Sequence, residues 1–144
     1  MLWLTVLLWI GADPAPVPCP GSAAADPVVA VAREILEADN RRALDEVLAF
    51  YSEGAVLWPP KESPVRGIAE IRKRYEAIFS DWSPSLATSI ESVCVGDQVA
   101  VLRGRVSGTL RPRAGGADRP VADAYLMVLS RQSGRGRIRD LAWR

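Results

Sequence analysis

One change of hydrophobic period constrains this chain more than any other feature. Between Asp26 and Asp81 apolar residues recur at helical spacing, and after Trp82-Ser83-Pro84 that spacing does not return. Asp26-Pro27 pairs an N-cap acceptor with a residue preset for a first helical turn. Val28, Val31, Ala32 and Ile35 then share a face, predicting a helix to about Ala38. Asp39-Asn40 offers a fresh cap, and Leu44, Val47, Leu48 and Tyr51 predict a second helix ending near Ser52. The run Ala55-Val56-Leu57-Trp58, stopped by Pro59-Pro60, is too short for a helix and reads as a strand entering a turn. Gly67 precedes Ile68, Ile71, Tyr75, Ile78 and Phe79, an amphipathic third helix with Glu70, Arg72, Lys73, Arg74 and Glu76 on its outer face. The rest is Val, Thr, Ser and Gly punctuated by turns. It predicts strands near residues 86–95, 98–110, 121–130 and 137–143, joined as an antiparallel meander. Helices followed by strands, with no alternating βαβ rhythm, make an α+β domain.

Composition narrows the chemistry. None of the 144 residues is histidine. Ser-His-Asp and Cys-His catalysis, His-ligated zinc or iron and a proximal-His haem are therefore excluded unless a partner chain supplies the ring. No metal or other cofactor is expected. A net charge of +1 argues against a dedicated nucleic-acid binder. The charge is unevenly spread: residues 26–92 hold 8 basic and 12 acidic side chains, residues 93–144 hold 10 and 4, and all ten bases there are arginines. An anionic partner would suit that half, but arginines on solvated strand faces and hairpin tips account for it more simply.

Residues 2–12 are apolar and uncharged, about eleven against the ~20 needed to span a bilayer. Small residues at Ala23 and Ala25 suit a signal-peptidase site. Residues 1–25 are accordingly expected to be a secretory signal, cleaved after Ala25, with residues 26–144 as the mature domain, secreted or periplasmic and without a stable membrane span. The absence of Lys or Arg after Met1 leaves an uncleaved membrane anchor as the alternative. Cleavage there removes Cys19, so Cys94 is expected to be a buried, inert thiol with no intramolecular disulfide.

From Arg42 onward the order of motifs resembles the NTF2-like superfamily, in particular its SnoaL-like and DUF4440-type members. The matching pieces begin with Ala43-Leu44 through Phe50-Tyr51, leading to Ala55-Val56-Leu57-Trp58-Pro59-Pro60. Pro64-Val65-Arg66-Gly67 with Ile71-Arg72 and Tyr75 follows, then Gly96-Asp97, residues 121–129 and Arg139-Asp140-Leu141-Ala142-Trp143. The resemblance implies a conical α+β barrel in which a strongly curved antiparallel sheet wraps three N-terminal helices and leaves a pocket at the wide end. It includes ketosteroid isomerases, cyclases, dehydratases and proteins that only bind, so fold does not assign function. The isomerases' general-base Asp falls where this chain reads Trp58-Pro59-Pro60, and their oxyanion Tyr where it has Ile35. Tyr75 matches the Tyr that supports that oxyanion group, and Tyr125 is the nearest match to their second oxyanion donor.

Strand alternation places Asp123, Tyr125, Met127 and Leu129 on one face. If that face lines the cone, the pocket has an apolar floor and two polar groups near its mouth. The pocket expected is Trp58, Tyr75, Asp123, Tyr125, Met127 and Trp143. The function expected is an exported domain binding a small, largely apolar molecule without a cofactor. One alternative is a cofactor-independent isomerase, lyase or cyclase using Asp123 as proton carrier, with Tyr125 or Tyr75 stabilising an enolate. Another is a non-catalytic module that dimerises through its sheet.

Overall fold

The computed structural model describes residues 15–19, 26–131 and 135–144. The apolar residues 2–12 and the small residues Ala23 and Ala25 lie outside the described residues. In chain order the elements are β1 (Val17–Pro18), α1 (Asp26–Asn40), α2 (Leu44–Ala49), β2 (Tyr51–Trp58), β3 (Val65–Arg66) and α3 (Ile68–Asp81). Four longer strands follow: β4 (Trp82–Val95), β5 (Val99–Pro112), β6 (Arg119–Ser130) and β7 (Arg137–Trp143).

The strands form one sheet in the order β1-β4-β5-β6-β7-β2-β3, whose ends do not meet. The segment from β4 to β7 is the antiparallel meander that the turn residues predict. The sheet is not wholly antiparallel, however. β2 runs parallel to β7, with Leu57 opposite Leu141 and Trp58 opposite Ala142, and β1 runs parallel to β4. A parallel pair needs a long connection, and between β2 and β7 α3 with four strands supplies it, so no local turn signal announces the pairing.

Two glycines in β5 let the sheet bend over the helices. A Cβ on Gly108, at φ 141°, would sit 2.1 Å from the Ser85 carbonyl oxygen, and one on Gly104 would sit 2.6 Å from that of Ser89. The register also shifts between Ile90 and Ser92 of β4.

The core lies between helices and sheet. Val28, Val31, Ala32, Ile35 and Ala38 of α1, Ile71 of α3, and Leu57, Leu102, Leu129 and Ile138 of the sheet are all buried. Each large aliphatic side chain among them contributes about 1.5–3 kcal/mol by leaving water.

Three local expectations are corrected. Helix α1 runs two residues past Ala38, and Asn40 does not cap α2, whose N-cap is Ala43 with no side-chain bond. Asn40 instead lays its amide on the β4 edge: Nδ2 donates to the Leu86 carbonyl and the Leu86 N–H donates to Oδ1, both at 2.8 Å. Tyr51 is not the last turn of a helix but the first residue of β2, with 1% exposure. Cys94 is not a free thiol. It pairs with Cys19 in a disulfide spanning 75 residues, and the Cys19 N–H donates to the Val93 carbonyl.

Several arginines of the second half have structural partners. Arg113 donates to the Phe79 and Ser80 carbonyls at the end of α3, offsetting the unpaired acceptors there. Arg131 donates to the Gly96 carbonyl, and Arg135 pairs with Glu34.

Candidate functional site

A cavity of about 510 Å³ lies between α1, α3 and the inner face of the sheet. Helix α1 presents Ala32, Ile35, Leu36 and Asp39 to it, one helical stripe. Helix α3 adds Arg74, Tyr75, Ile78 and Phe79. On β6 the alternation falls as the sequence indicates: Asp123, Tyr125 and Met127 line the cavity, while Leu126 between them is 40% exposed on the outer face.

Of the pocket residues expected from sequence, the structure brings together Tyr75, Asp123, Tyr125, Met127 and Trp143. Trp58 is not among them. It follows inward-facing Leu57 and so points outward, 41% exposed, where its Nε1–H donates to Asp140 at 3.1 Å and the Arg66 guanidinium stacks on its ring. Trp143 lines the cavity under the Arg74 guanidinium, 5.6 Å from the ring centre, and Arg74 is held by Glu62 at 2.8 Å. That pairing also holds the Glu62 carboxyl below its usual range.

Tyr125 lies across Gly104, where a Cβ would come within 2.7 Å of its hydroxyl oxygen. That hydroxyl is 2.7 Å from Thr88 Oγ1. Thr88 spends its one proton on the Arg105 carbonyl, so Tyr125 donates to Thr88 and presents only lone pairs to the cavity. An enolate would find an acceptor there rather than a donor. Asp123 has no ion pair among the described residues, and the Arg103 guanidinium of the neighbouring strand donates to Ser92 at 3.0 Å.

Sequence reasoning missed two members of the site. Tyr51 and Tyr75 hydroxyls are 2.9 Å apart, so Tyr75 has a partner after all, and burial pushes the pKa of both upward, keeping them protonated. Asp39 is the second. Its Oδ1 is shut off from solvent with no hydrogen-bond partner among the described residues, and burial pushes its carboxyl up to about 7. Its charge would also act on Tyr51 and Tyr75, raising both. The signal was available: Asp39 lies four residues past Ile35, on the stripe the helix already defines.

Among the described residues no cluster of three metal-ligating side chains occurs, and no helix is long and apolar enough to cross a membrane.

A helical layer packed in a curved, unclosed sheet around an apolar cavity defines an NTF2-like domain. The chain belongs to the SnoaL-like domain family, whose model matches residues 32–139. Among solved structures it is similar to a ketosteroid isomerase-like protein from Erwinia carotovora atroseptica SCRI1043. That match has 26% identity and a TM-score of 0.73, covering 82% of this chain and 92% of that one. An NTF-2 like protein of unknown function from Shewanella oneidensis MR-1 shares 19% identity over 82% and 96% of the two chains, with a TM-score of 0.69. A protein provisionally assigned as a scytalone dehydratase, from Novosphingobium aromaticivorans DSM 12444, shares 14% over 83% and 81%, at 0.72. No curated protein matches the chain significantly.

Proposed function

We propose that this domain binds a small, largely apolar molecule in the cavity, without a cofactor. The carrying observation is the cavity itself: about 510 Å³, the size of an ordinary small-molecule site, walled by Phe79, Trp82, Met127 and Trp143 with a few polar groups among them. The reading is tested by following the melting temperature against a panel of apolar metabolites. A concentration-dependent rise with at least one of them, lost when Met127 is replaced by Arg, supports it. No shift across the panel overturns it.

The same reading takes the chain as exported, with residues 2–12 acting as the apolar part of a signal. The Cys19–Cys94 pair suits an oxidising destination and favours a cut upstream of Cys19 over one after Ala25. Intact mass of protein from the native host decides among three outcomes: a start before Cys19, a start at Asp26, and an uncleaved anchor.

Self-association through the outer sheet face is the second reading, favoured by exposed Leu126 beside Ala122 and Ala124. Light scattering on the eluting protein, before and after Leu126→Lys, tests it. A dimer that the substitution dissociates supports this reading, and a monomer at every concentration removes it.

A further inference from the structure

The polar groups of the cavity are unbalanced. Asp39 offers an Oδ1 that is out of solvent and unpartnered among the described residues, and Asp123 has no ion pair with any of them. Tyr125, its proton given to Thr88, offers lone pairs. Tyr51 and Tyr75 share one hydrogen bond, leaving a single hydroxyl proton between them against further lone pairs. The cations do not offset this. Arg74 is taken up by Glu62 and Trp143, and Arg119 is exposed. Acceptors and negative charge therefore exceed donors and positive charge inside an apolar, aromatic enclosure.

A carboxylate withdrawn from water is costly unless paired, and no side chain among the described residues pairs with Asp39. A ligand that brings a cation removes that cost, and the flanking rings of Tyr51, Tyr75 and Phe79 favour a cation further. An ammonium group carries three donors and no acceptor, which complements this lining. We infer that the cavity takes a protonated amine carried on an apolar or aromatic body, its ammonium paired with Asp39. The inference rests on the small-molecule reading above and specifies its ligand class. It also assigns Asp39 a use that the ketosteroid pattern, with its base beside the first strand, does not contain.

The pair 2-naphthylmethylamine and 2-naphthylmethanol tests this, since the two differ only in the head group. Calorimetry at pH 8 should show the amine binding at least tenfold more tightly than the alcohol, and Asp39→Asn should erase that preference while alcohol binding persists. Protonation linkage gives a second readout that needs no variant. Titrated in buffers of different ionisation enthalpy, amine binding should release protons at pH 6 and markedly fewer at pH 8, as Asp39 gives up its proton to pair. The other ionisable groups on the cavity are Tyr51, Tyr75, Tyr125, Glu62, Arg74, Arg119 and Asp123. The tyrosine hydroxyls are shifted upward and the Glu62 carboxyl downward, so those four do not titrate in this window. Equal affinity for amine and alcohol, or amine binding without proton release at pH 6, overturns the inference and leaves small-molecule binding standing. Failure of both probes to bind at millimolar concentration overturns the inference as well, while the small-molecule reading is decided by the metabolite panel.

Discussion

Replacing Asp39 by Asn should change how stability depends on pH, and the direction follows from where the carboxyl sits. In the unfolded chain its pKa is the ordinary 3.8, and in the folded protein burial pushes it to about 7. Between those values the folded state holds a proton that the unfolded state has lost. Folding stability therefore falls as pH rises from about 4 to about 7, and the deficit is constant above that. A shift of about three units corresponds to about 4 kcal/mol at 1.36 kcal/mol per unit. Asp39 as a whole residue is only partly withdrawn from solvent, so local hydration lowers the cost, and a deficit of about 2–4 kcal/mol is expected. Asn removes the titration but keeps the size. The assay is urea unfolding of wild type and Asp39→Asn at half-unit steps from pH 4 to pH 8.5, because groups common to both chains cancel in the difference. Asn should gain on the wild type by about 2–4 kcal/mol across that range, with the gain accruing between about pH 4 and about pH 7 and levelling off above. A difference that stays flat, or that grows toward acid, would refute the desolvation argument.

Three further outcomes are expected. In a chain that retains Cys19, Cys94→Ser should lower stability by about 2–4 kcal/mol, and reduction of the wild type should cost the same, as read by denaturant midpoint. Gly104→Ala forces a Cβ against Ser89 and Tyr125, so a loss of about 1–3 kcal/mol with displacement of the Tyr125 ring is expected; an unchanged melting temperature would show that β5 can shift. Turnover of a β,γ-unsaturated ketosteroid should stay at background in a standard absorbance assay. The isomerase base position holds Trp58-Pro59-Pro60, and losing even one oxyanion donor costs on the order of a hundredfold to a thousandfold.

The hydrophobic period carried most of the architecture. Helix α3 and the β4 to β7 meander follow directly from Ile71, Phe79 and the alternating residues of β6, because each element buries one face against a single core. Where reading stopped short, a local rule competed with a tertiary one. Asp39-Asn40 looked like a cap because short polar residues do end helices. The β4 edge claimed Asn40 instead, and the helix kept Asp39 on its buried stripe, so the site's most unusual carboxyl was taken for punctuation. Tyr51 fits both a helical repeat and the start of a strand, and only the parallel partner β7 decides between them. Cys19 falls in a stretch that reads as a targeting segment, and its pairing depends on a strand 75 residues away, which no local pattern announces. Trp58 beside the prolines reads as a flat wall for a hydrophobic ligand, although its position next to buried Leu57 sends it outward.

The covered rims of the sheet limit how copies of this domain can meet. On one side, the short strand tied down by Cys19–Cys94 and the Asn40 amide occupy backbone groups of β4 that would otherwise recruit another chain's strand. On the other, the last strand is two residues long. Rim-to-rim growth, the route to fibrils and continuous intermolecular sheets, is left with little to hold. An association face to face would, by contrast, close on itself and stay finite.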